Sequence, residues 1–177
     1  HGAPAAPERG HNAAMAEDHL REALTRLPDA YDARRREDLD REQKSKDDEA
    51  QFFSRFAELR RDVIRPVFEA AGALLEERGH RYSIAEQESV AGAAGRISEA
   101  GISLRVVAAG TKAPLHEDQQ SLSITTRHYN RTVWINSGES PTSGGLAGAK
   151  GAHGLDKVTP QLVEEEVIAF VGRVVAR

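Results

Sequence analysis

The chain has 177 residues, with 28 Asp and Glu against 24 Lys and Arg and a formal net charge of −4. It contains no cysteine, which excludes structural disulfides, thiolate zinc sites, iron–sulfur clusters and cysteine nucleophiles. No stretch approaches the roughly 20 apolar residues of a membrane span, and the charge balance lacks the basic excess that phosphate-backbone binding normally needs.

Apolar residues are unevenly spread. Six large ones (Met15, Leu20, Leu24, Leu27, Tyr31 and Leu39) lie in residues 1–50, and 36 lie in residues 51–177. Residues 1–50 carry nine Lys and Arg against thirteen Asp and Glu, whereas residues 51–177 carry fifteen of each. The first segment is too poor in apolar surface to offset its own ordering entropy, while the second can bury a core. The expected organisation is therefore a charged, partly helical or disordered N-terminal arm over 1–50 and a single domain over 51–177. The start, His1 to Leu20, lacks the apolar run of a signal peptide, and residues 1–14, ahead of the first helix-like run at Met15, are set aside from the functional reading. The absence of cysteine fits a cytoplasmic protein, and 19 Arg against 5 Lys fits a GC-rich bacterial genome.

In chain order, Leu20, Leu24 and Leu27 recur at spacings of four and three, on one side of a short helix that Pro28 should end or break. Residues 29–50 are dense in charge and offer no face to bury. Pairs such as Asp32 with Arg36 and Glu37 with Arg41 lie four apart, each worth only about 0.2–0.5 kcal/mol to a helix. A solvated helix or disordered linker is expected unless a partner covers it.

From Phe52 the pattern sharpens: Phe52, Phe53, Phe56, Leu59, Val63, Ile64, Val67, Phe68, Ala71, Leu74 and Leu75 recur every three or four residues. The stripe drifts with the 3.6-residue period of a helix packed on its own sheet, not that of a long coiled coil. Pro66 should kink this helix and Gly79 should cap it. The period then falls to two around Tyr82 and Ile84, over Ile102, Leu104 and Val106, over Leu122 and Ile124, and over Val133 and Ile135. A tight connection at His128–Asn130 joins the last two segments. Residues 137–154, with six glycines, read as a loop. Thr159 and Pro160 open a closing helix whose apolar stripe runs from Leu162 to Val175. The predicted fold class is α+β: a long N-terminal helix, a four-stranded antiparallel β-meander and a C-terminal helix, with the helices packed on one sheet face.

No residue spacing defines a chemistry. The run Gly144-Gly145-Leu146-Ala147-Gly148-Ala149-Lys150-Gly151 fails the P-loop pattern, because alanine precedes Lys150 and no Ser or Thr follows it. His116-Glu117-Asp118, and His153 with Asp156, supply ligand types without the convergence a metal needs. No metal, cofactor or catalytic residue is assigned. For a ligand, an open sheet face lined by Glu86, Glu88, Arg105, Arg127 and His128 is the expected place, histidine and carboxylates being the groups suited to acid–base work. Arg127-His128-Tyr129-Asn130-Arg131 with Trp134 interleaves cations and aromatics as single-strand binders do, whereas acidic neighbours blunt Arg34-Arg35-Arg36. The leading expectation is a non-enzymatic interaction protein whose arm, anchored by Leu20, Leu24 and Leu27, pairs with itself or docks on a protein partner. An enzyme or small-molecule site on the sheet and single-stranded nucleic-acid binding are the alternatives; no membrane partner is expected.

Overall fold

The computed structural model describes residue 2 and residues 9–111, 120–138 and 149–176. The chain divides into two compact units, His1–Asp47 and Asp48–Arg177. From Arg9 onward the first is helix: α1 runs Arg9–Leu59 and contains Pro28. The proline was expected to stop the helix, and it does not. An interior proline costs about 3 kcal/mol, chiefly by removing one N–H and leaving the Leu24 carbonyl to water. Helix formers surround it, together with helical pairs four apart, Arg26 to Glu22 at 2.6 Å and Gln43 to Asp47 at 2.9 Å.

In the second unit the end of α1 passes through a single π-helical turn, Arg60–Ile64, into α2, Arg65–Glu77. Pro66 lies in the first turn of α2. Pro66 thus sits where a missing N–H costs least, just after a widened turn. Gly79 caps α2 at φ +83, with Gly79 N–H donating to Glu76 O and His80 N–H to Leu75 O, both at 3.0 Å.

Seven strands follow: β1 Arg81–Gln87, β2 Val90–Ala91, β3 Ile97–Ser98, β4 Gly101–Val107, β5 Ser121–Arg127, β6 Thr132–Gly138 and β7 Ala149–Gly154. Helix α3, Pro160–Val175, closes the chain, and its N-cap Thr159 accepts the Leu162 N–H. The main sheet is antiparallel in the order β1-β4-β5-β6-β7, and β2 pairs with β3 as a separate hairpin. The α+β class stands, but the four-stranded meander does not: the main sheet has five strands. β7 was hidden because Ala149, Gly151, Ala152 and Gly154 carry no alternating apolar signal. An edge strand can form from backbone pairing to one neighbour alone.

Strand register divides the sheet's side chains cleanly. Ile102 stands opposite Ile124, which stands opposite Ile135, and Leu104 opposite Leu122. With Val106 and Val133 these residues form one core with Phe56, Ile64, Phe68 and Leu75 from the α1–α2 segment and Val163, Val167 and Phe170 from α3. Every strand residue in that core points to the same face, so the helices cover one side of the sheet.

Candidate functional site

On the N-terminal helix, Leu20, Leu24, Leu27 and Tyr31 are 58%, 60%, 61% and 65% exposed. Their spacing of four, three, four is that of a coiled-coil seam, and Ala16, Ala23 and Ala30 flank it every seventh residue. The three leucines singled out from sequence do share one face, and Tyr31 extends it. A helix keeping four large apolar side chains in water gains nothing from them until something covers them.

The five ligand candidates on the sheet do not form one site. Glu86 stands opposite Ile102 and therefore lies on the helix-covered face, at the end of β1. There it meets Arg65 at 3.1 Å and Arg60 at 3.9 Å. Glu88 pairs with Arg60 at 2.5 Å. Arg60 is a buried cation, 6% exposed, whose guanidinium also donates to Gln87 O at 3.0 Å and Gly101 O at 3.4 Å. Hydrogen bonds to Glu86 and then to Glu69 hold Arg65 above the ordinary guanidinium range. The two carboxylates proposed for acid–base work are thus spent in tying the helix to β1. Arg60 had a readable signal: it lies four residues after Phe56 and four before Ile64, a charge on the buried stripe.

His128 begins the β5–β6 turn and pairs with a residue that sequence spacing did not pick out, Glu99. The Glu99 carboxylate accepts from His128 Nδ1, from the His128 backbone N–H at 3.1 Å and from the Thr126 hydroxyl at 2.7 Å. Thr126 Oγ1 in turn accepts the Ala100 N–H at 2.9 Å. The His128 ring stacks on Phe53, centroids 6.4 Å apart, and Tyr129 meets it edge-on. Among the described residues Nε2 has no protein partner, and it is not among the buried unpaired atoms, so it faces solvent. A carboxylate that fixes Nδ1 and leaves Nε2 open sets the imidazole's tautomer and orientation, the requirement for proton transfer at Nε2. A shallow cleft of 420 Å³ lies near the turn, but its lining includes Asp48, Phe52, Arg55, Arg131 and Asp156 and not His128. Its two acids and two bases select no ligand charge.

Arg105 and Arg127 are the two candidates that lie on the sheet face opposite the helices. Arg127 places its guanidinium 4.7 Å from the centre of the Trp134 ring. His153, opposite Val133, points to the covered face with a buried, unpaired Nε2. Among the described residues no group of three or more His, Asp or Glu is placed to hold a metal ion, and no helix is long and apolar enough to cross a membrane. His116-Glu117-Asp118 and most of the glycine-rich segment lie outside the described residues. The chain matches no protein-family model, no curated protein and no solved structure.

Proposed function

We propose that this chain is a non-enzymatic assembly protein whose N-terminal helix pairs with the same helix of a second copy. The observation that carries this reading is the exposed stripe of Leu20, Leu24, Leu27 and Tyr31 at heptad spacing. Charge selects the partner and its direction. In an antiparallel pair centred between Leu24 and Leu27, Leu24 meets Leu27, Leu20 meets Tyr31, and Glu17 of one copy meets Arg34 of the other, twice by symmetry. A parallel pair would instead set Arg34, Arg35 and Arg36 against themselves.

Covering eight such side chains contributes on the order of 10 kcal/mol, against an association cost of about 4–15 kcal/mol. A weak, concentration-dependent dimer follows. Sedimentation equilibrium over about 1–500 µM should show monomer giving way to dimer, and Leu24→Asp with Leu27→Asp should hold the chain monomeric. Glu17→Arg and Arg34→Glu should each weaken the dimer, and together restore it. A monomer at every concentration refutes self-pairing and leaves a different protein as the stripe's occupant. A dimer that survives the double aspartate variant places the interface elsewhere.

A further inference from the structure

The face of the main sheet opposite the helices is, among the described residues, chemically one-sided. On β1, β4, β5 and β6 it presents Arg81, Arg105, Arg127, Trp134, Gln87, Asn136 and a field of serine and threonine, and no carboxylate. That segregation is not a property of the whole chain, in which acids outnumber bases. Among the described residues neither Arg105 nor Arg127 has a hydrogen-bond or ion-pair partner. The Arg127 Nε and Trp134 Nε1 are both buried donors without an acceptor, and such orphans call for explanation in a native structure.

We propose that this face binds single-stranded nucleic acid, with Arg105 and Arg127 taking phosphates and the Trp134 indole stacking on a base. The guanidinium of Arg127 lies over the ring as a base would. An incoming base takes that place or stacks on the guanidinium itself, and frees Arg127 for phosphate. Thr125, opposite Trp134, is four residues along β5 from Ser121, opposite Arg105. That is about 13 Å of strand, room for a few nucleotides. An acidic peptide would satisfy the arginines but gives the indole no flat partner, so the tryptophan favours nucleic acid.

Trp134 is the only tryptophan in the chain, and its emission reports the site directly. The full-length chain would be titrated with an oligothymidylate of about 15 nucleotides and, separately, with poly-glutamate. The expected result is saturable quenching by the oligonucleotide that weakens with salt. In Arg105→Ala/Arg127→Ala the slope of log K against log salt should fall by about 1.4. With a labelled oligonucleotide, Trp134→Leu should bind roughly tenfold more weakly. Arg105→Ala alone, which disturbs no described contact, should lower the slope by about 0.7 and covers the case in which the Arg127 variant does not fold. No binding at low salt overturns the proposal. Binding that leaves Trp134 emission unchanged and ignores the arginine variants also overturns it, and places the contact elsewhere. Equal quenching by poly-glutamate overturns it in favour of an acidic protein partner.

Discussion

Replacing Arg60 by methionine tests whether the buried guanidinium is a structural tie. The substitution keeps an unbranched apolar stem against Phe56 and deletes the charge and all its donors. Three losses follow. The Gly101 carbonyl, on a buried residue, loses its guanidinium donor, at about 1–2 kcal/mol. The Gln87 carbonyl lies on an exposed residue and recovers a water. The ion pair with Glu88, whose side chain is 69% exposed, is worth about 0–1 kcal/mol. Against these stands a gain, because the desolvation penalty of a cation that is 6% exposed disappears. The net expectation, after the gain is set against the losses, is a destabilisation of about 1 kcal/mol. Urea unfolding followed by Trp134 fluorescence would read it as a midpoint lowered by roughly 0.5 M with an unchanged slope. A methionine variant as stable as the parent, or more so, would show that desolvation outweighs the hydrogen bonds and would refute the reasoning.

Two further substitutions probe the same unit by the same assay. At Gly72 an added Cβ would lie 2.3 Å from the Tyr82 ring, so Gly72→Ala should destabilise by about 1–2 kcal/mol despite alanine's better helix propensity. In a Tyr82→Ala background the same change should become stabilising, and a cost that persists there would mean that the ring contact is not its cause. Glu99→Ala leaves the His128 backbone N–H without its acceptor, while the Thr126 hydroxyl keeps the Ala100 carbonyl at 3.2 Å, and should cost about 1–2 kcal/mol; an unchanged midpoint would show that the carboxylate is replaced by water.

What was legible in the sequence is what periodicity writes down. The Phe52–Leu75 stripe, the inward Ile102, Leu104, Leu122, Ile124, Val133 and Ile135, and the Thr159 cap all follow from one residue's spacing to the next. β7 was illegible because glycine and alanine carry no facing preference, so only its pairing with β6 defines it. Pro28 misled for a different reason. Its penalty is local, and a long run of helix formers on either side absorbs a penalty that would end a shorter helix.

Site geometry was less legible than the fold because alternation tells which face a residue takes, and not what waits on that face. Glu86 is three residues from Ser83 along β1, and that odd spacing alone puts it on the covered side, away from Arg105 and Arg127. Thr126 continues the inward series after Leu122 and Ile124, and a hydroxyl on a core face requires a partner. That demand could be read from the sequence. Its answer, Glu99, could not, because the carboxylate lies 27 residues away and only the β4–β5 register brings it there. The same register gathers Arg105, Arg127 and Trp134 onto one face from segments whose charges, counted along the chain, cancel. A balanced sequence therefore yields a one-signed face on these strands, which net charge counted along the chain does not report.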